Sequence, residues 1–142
     1  MTLVLQTTIA GRIAVWLIEN KKILISVNTA VESHASDRVL AVVDLTLRQA
    51  KKTINDVQKI VVVRGPGSFT SVRTGLIIAN TLGVLLKIPV GGIVTKHQLS
   101  DSDVLRQALT VGAREKIVRP WYGKSPNITR PKIKRAQATA KR

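Results

Sequence analysis

At 142 residues the chain has the length of one domain, with enough apolar residues to build a core. It contains no cysteine, which excludes disulfides and thiolate metal sites, and its two histidines, His34 and His97, form no ligand cluster with carboxylates at metal spacing. Its net charge of +15 favours an anionic partner, and no metal site is expected.

Three runs rich in branched residues open the chain: Thr2 to Ile9, Arg12 to Ile18 and Ile23 to Val27. The short breaks between them, AGR and ENKK, suit hairpins, so a three-strand meander is expected. After the loop NTAVESHA a helix is expected from Ser36 to Lys52, then a short helical turn near Asn55 to Gln58. The next strand, Lys59 to Arg64, runs into Gly65-Pro66-Gly67, and Ser68 or Thr70 can cap the helix that follows as far as Lys87. A strand at Pro89 to Val94 and a weaker helix around Asp101 to Leu109 complete the pattern.

The order β-β-β-α-β-α-β predicts an α/β fold: a mixed sheet with helices on its faces, because parallel strands need covered crossover connections. This is the layout of a ribonuclease-H-like half of the actin, Hsp70 and sugar-kinase (ASKHA) architecture. Domain boundaries are expected at 1–110 for this lobe, 111–123 for a short following segment and 124–142 for a basic tail. From Arg114 to Arg142 there are ten Lys and Arg against Glu115 alone. With few large apolar residues and no periodicity, the last stretch reads as a disordered arm that suits nucleic acid, with Lys124, Arg130, Lys132, Lys134 and Arg135 as phosphate contacts. A solubilising tail would have the same composition.

The stretch VVVRGPGSFTSVRTG places a sharp turn between a buried strand and a helix amino end, a geometry that suits an anion. Arg64, Gly65, Gly67, Ser68, Thr70 and Arg73 are its candidate phosphate contacts. Pro66 removes a donor and the lysine of a Walker loop is missing, so a purely structural turn could use the same glycines. The apolar run Gly75 to Leu86 is shorter than the ~20 residues a bilayer needs and reads as a buried helix. The amino terminus lacks the pattern of a signal peptide, so the expected compartment is the cytoplasm.

The two long helices carry more apolar surface than one sheet needs. Val39, Leu40, Val42, Val43, Leu47 and Ala50 span an arc of about 160°, against the roughly 100° of a helix on one sheet. The second helix is apolar nearly all round, with only Arg73 and Asn80 as a polar seam, and Gly75, Ala79 and Gly83 recur at four-residue spacing. A helical partner is therefore expected at Val39, Val42, Val43, Gly75, Ile78, Ala79, Leu82 and Gly83, although the sheet itself could occupy the small-residue stripe.

The segments ESHASDRVLAVVDLTLRQAKKTINDVQKIVVV and RGPGSFTSVRTGLIIANTLGVLLKIPVGGI resemble the TsaB (YeaZ) family of tRNA threonylcarbamoyladenosine biosynthesis over roughly Thr2 to Leu99. VRPWYGKSPNIT is a weaker echo of the end of those proteins, and most of their second lobe has no counterpart here. The resemblance implies a noncatalytic scaffold that pairs with a TsaD-like catalytic subunit, with a TsaE-like ATPase as a further partner and self-pairing through the same helices as an alternative. It implies no cofactor in the isolated chain, with ATP or ADP only at the joint interface. Two positions depart from the family. Gln6 stands where a strand-end aspartate is usual, and a neutral amide cannot hold a metal as a carboxylate does. Ser71 replaces a glycine after the turn and is expected to narrow the space above it. No pair of carboxylates is placed for acid–base work, and the serines near His34 have no orienting third residue, so no enzyme is expected. A small RNA-binding protein, and less readily a nucleotide-binding ATPase, are the competing classes.

Overall fold

The computed structural model describes residues 1–33, 36–112 and 117–123. Strands β1 (Thr2–Gln6), β2 (Arg12–Glu19) and β3 (Lys22–Ala30) form the meander, followed by α1 (Ser36–Gln49) and a 3-10 turn at Ile54–Asp56. Then come β4 (Lys59–Gly65), α2 (Phe69–Leu86), β5 (Val90–Val94) and α3 (Asp101–Thr110). Element boundaries follow the expected ones within a few residues, except that β1 stops at Gln6. There the chain leaves the sheet, and Thr7 and Thr8 turn their side chains into the interior.

The five strands lie in the order β3-β2-β1-β4-β5. Pairing is antiparallel through the meander, and parallel between β1 and β4 and between β4 and β5. Central β1 and β4 are buried on both sides, as continuous Leu/Val/Ile runs predict for parallel strands under helices. Edge strand β3 alternates exposed and half-buried residues, the period of a sheet with one wet face.

The sheet separates two cores. On one face Leu3, Leu5, Val15, Ile60 and Val62 meet Val39 and Val43 of α1 and Val72, Leu76 and Ala79 of α2. On the other Val4, Trp16, Val61 and Val63 meet Leu99, Val104 and Ala108 around α3. Polar ties fix α3: the Trp16 indole N–H donates to Asp101 (2.9 Å), and Lys59 Nζ donates to the carbonyls of Ala108 and Val111 at the carboxyl end of α3. That ammonium sits where the helix dipole is negative.

By length and composition α2 could cross a membrane, a property that the shorter run Gly75 to Leu86 does not convey. It is used as a layer, in contact with β4, β1, β5 and α1. The boundary expected after residue 110 falls at the carboxyl end of α3. Residues 117–123 return to α2 and the turn, while the expected tail, 124–142, lies outside the described residues.

Candidate functional site

The turn is built by close approaches. Gly65 has φ +137°, and a Cβ on it would strike the carbonyl of Trp121, whose N–H donates to Arg64 O at 2.8 Å. Glycine is thus required both for the backbone conformation and for the strand of chain that crosses it. A Cβ at Gly67 would come within 2.9 Å of the Thr8 carbonyl. Ser68 is the helix cap, as one of the two candidates predicted, and its side chain accepts from Ser71 N. Ser71 does not project above the turn. It is buried, and its hydroxyl contacts Ser68 while its carbonyl accepts from Thr7 Oγ1 at 2.7 Å.

Of the expected anion contacts, Gly67, Ser68 and Thr70 lie exposed at the start of α2 and Gly65 lies buried beneath Trp121. The arginines take other neighbours. The stem of Arg64 lies across Gly92 of β5, where a Cβ would be 2.8 Å from Arg64 Cδ. Arg73 sits with its guanidinium 3.7 Å from the centre of the Phe69 ring and donates to Tyr122 Oη at 3.4 Å. Phe69 and Tyr122 in turn stack, with ring centres 5.8 Å apart and planes 18° from parallel. No sequence signal joined these residues, because the segment that brings Tyr122 to Phe69 is held by contacts distant in sequence, the Trp121 N–H on Arg64 O and the Asn80 amide on Val118. Both polar ends of the Asn80 amide hold the backbone of Val118, each at 2.9 Å.

Gln6, at the end of β1, is fully engaged. It donates to His97 O at 2.8 Å and accepts from Gln98 Nε2 and Leu99 N at 3.0 Å each. A neutral amide committed to a loop does not suit a magnesium–nucleotide complex, so the residues here do not fit the metal-nucleotide site of an ATPase. Among the described residues no group of His, Cys, Asp and Glu could hold a metal ion. His34 lies outside the described residues, and His97 is exposed, contributing its backbone.

The expected partner-facing residues need correction. Val39, Val42, Val43, Gly75, Ile78, Ala79 and Gly83 are buried in this chain's own core. The small-residue stripe faces the sheet side: a Cβ on Gly75 would strike Thr7, just past the end of β1, and one on Gly83 would strike Val90 of β5. Of the eight, Ile78 and Leu82 reach a groove of about 310 Å³ between α1 and α2, at its floor. Its rim is Leu40, Ile77 and Leu85, the last two 62% and 71% exposed. The apolar arcs are wide because α1 and α2 bury one side on the sheet, touch each other, and leave bulky residues outward. Lys124, Arg130, Lys132, Lys134 and Arg135 lie outside the described residues.

Fold and turn together define an α/β domain in which a Gly-Pro-Gly loop joins a central parallel strand to a long helix's amino end. The family described as TsaD, tRNA N6-adenosine threonylcarbamoyltransferase, matches residues 27–117. The tRNA threonylcarbamoyladenosine biosynthesis protein TsaB of Buchnera aphidicola is 28% identical over 106 residues, covering 72% of this chain and 50% of the relative. TsaB of Bacillus subtilis is 29% identical over 100 residues, covering 70% of this chain and 44% of the relative. The structure of YeaZ from Pseudomonas aeruginosa superposes with a TM-score of 0.59 at 28% identity, over 66% of this chain and 42% of that one. The chain belongs to the TsaD family, as one of its TsaB (YeaZ) members. It spans about half the length of the curated TsaB relatives it matches.

Proposed function

We propose that the chain is a noncatalytic scaffold in tRNA threonylcarbamoyladenosine biosynthesis, which docks α1 and α2 on a TsaD-like catalytic subunit and so supports threonylcarbamoyl transfer to tRNA adenosine. The observation that carries this reading is the α1–α2 groove, lined by Leu40, Ile77, Ile78, Leu82 and Leu85 with only Ser36 and Thr81 to interrupt it. Of these Leu40, Ile77 and Leu85 are exposed, and apolar side chains left in water on neighbouring helices suit the centre of a protein interface. Family membership supports a TsaD-like subunit as the partner. The fold reading that accompanies it is one ribonuclease-H-like lobe of the ASKHA architecture.

A TsaE-like ATPase is a further partner in this scheme, a homodimer through the same helices is the competing assembly, and the cytoplasm is the compartment. Nucleotide enters only at the joint interface, beside Gly67 and Ser68. The basic residues of 124–142 give tRNA a sequence-independent contact.

Co-expression with a TsaD-like subunit, followed by sedimentation, tests the reading. A stable heterocomplex is expected. Pairing only with itself, or pairing indifferent to charge placed in the groove, overturns it. Calorimetry on the isolated chain is expected to show weak or no binding of ATP with magnesium, since Gln6 brings no charge to the metal.

A further inference from the structure

The chain has four aromatic residues, and three of them, Phe69, Trp121 and Tyr122, come to one surface. Only Trp16 belongs to a core, at 2% exposure. Burial is the usual fate of aromatic rings, because each removes a large apolar area from water. Here Phe69 is 57% exposed, and Trp121 and Tyr122 are exposed as well. The cluster is nonetheless ordered: Tyr122 stacks on Phe69, Arg73 covers part of Phe69, and the Trp121 main chain is bonded to Arg64. A Cβ on Gly123 would lie 3.2 Å from the Trp121 ring and 3.9 Å from Pro66, which sets that ring beside the turn.

From this cluster a groove of about 350 Å³ runs along α2, with Leu76, Ile77 and Val118 as apolar lining and Arg73 and Arg119 as its cations. Neither α2 nor residues 117–123 contains an acidic residue. Flat exposed rings, guanidinium groups and an absence of carboxylates together form a stacking platform beside an anion-attracting edge, the combination that binds single-stranded nucleic acid.

We infer that Phe69, Trp121 and Tyr122, with Arg73 and Arg119, form a site for an unpaired base of single-stranded RNA, the base stacking on the rings and the adjoining phosphates meeting the arginines. The site lies within the described residues, and it does not depend on docking of a catalytic subunit. Stacking makes it sensitive to the presence of bases and tolerant of their order.

Trp121 supplies the signal for the test, since Trp16 is shielded with its indole N–H held by Asp101. The full chain is titrated with a short oligoadenylate and with an abasic strand of the same length and charge. The oligoadenylate is expected to quench Trp121 emission and to bind about tenfold more tightly than the abasic strand. Phe69→Ala or Tyr122→Ala is expected to erase that preference at an unchanged thermal midpoint, while the tail's charge keeps residual binding to both strands. Arg73→Gln and Arg119→Gln are expected to lower the salt slope by about 0.7 each. Equal affinity for the two strands, or a base preference that survives Phe69→Ala, overturns the inference and leaves the cluster to charge-only contact or to a protein partner.

Discussion

Two grooves of similar volume flank α2, about 310 Å³ on the α1 side and about 350 Å³ on the side of residues 117–120, with Ile77 on the rim of both. The first is lined almost wholly by aliphatic carbon; the second adds Arg73, Asn80 and Arg119 to an apolar lining, with the ring cluster beside Arg73. One helix thus offers two surfaces of similar size, one aliphatic and one with a cationic edge. Size therefore says little about what occupies either. The aliphatic groove suits another protein's helix, and the cationic one suits an RNA base.

The largest expected effect separates the two sides. Leu40→Asp combined with Leu85→Asp puts two charges into the aliphatic groove at exposed positions, leaving the core untouched. Desolvating an unpaired carboxylate costs several kcal/mol, so pairing with a TsaD-like subunit should fall by more than a hundredfold in sedimentation or pull-down. Oligoadenylate binding should not change. Loss of both activities together would mean that the grooves act as one surface.

A second variant moves the shared helix. Gly75→Val places a branched side chain against Thr7, breaks the Thr7–Ser71 hydrogen bond and pushes α2 off β1. Overpacking of this kind costs ~1–3 kcal/mol, measurable as a lowered denaturant midpoint, and both grooves should weaken. A smaller effect is expected from Asn80→Leu, which removes the two hydrogen bonds to Val118. The cost is about 1–2 kcal/mol, and it should weaken the RNA side alone while TsaD pairing persists.

The smallest effect lies far from both grooves. The hydroxyl of Ser100, by its side-chain hydrogen bond, holds the Asp103 carboxyl below its ordinary value, with the Ser100 backbone bond and Arg106 adding to this. Asp56 is lowered in the same way, first by the backbone N–H of Thr53. Groups with depressed folded pKa values contribute stability above their unfolded value, near 3.8, and lose it as pH falls through the folded value. Acidification below about pH 4 should therefore loosen the amino end of α3, seen as faster amide exchange at Val104 and Leu105. Between pH 5 and 8 neither carboxyl should affect either groove.

Element types and order were legible because each strand is a branched apolar run and each helix keeps a periodic stripe. The Gly-Pro-Gly turn and the Ser68 cap were legible for the same local reasons. The direction of the helix stripes was not. A wheel shows that α1 and α2 have more apolar arc than one surface needs, and it cannot say which part meets the sheet. The smallest residues, Gly75, Ala79 and Gly83, went inward because β1 and β5 approach them closely, and the bulky Ile77, Val84 and Leu85 were left outside. In the sequence Asn80 reads only as part of a thin polar seam on an apolar helix. Its partner stands 38 positions away, a pairing no local pattern encodes, and it helps hold the segment that carries Trp121 and Tyr122.

The amide of Gln6 has an engineering consequence. Its oxygen receives two donors from the 98–99 segment and its nitrogen feeds the carbonyl of His97, so this loop is shaped around a side chain that gives and takes at once. An aspartate is one methylene shorter and only accepts, so Gln6→Asp would leave the His97 carbonyl with only the Thr95 hydroxyl at 3.5 Å and pull the remaining bonds out of reach. Restoring a carboxylate at the end of β1 is therefore not a one-residue repair. The loop would have to be rebuilt in the same step, so the position is closed to that single change.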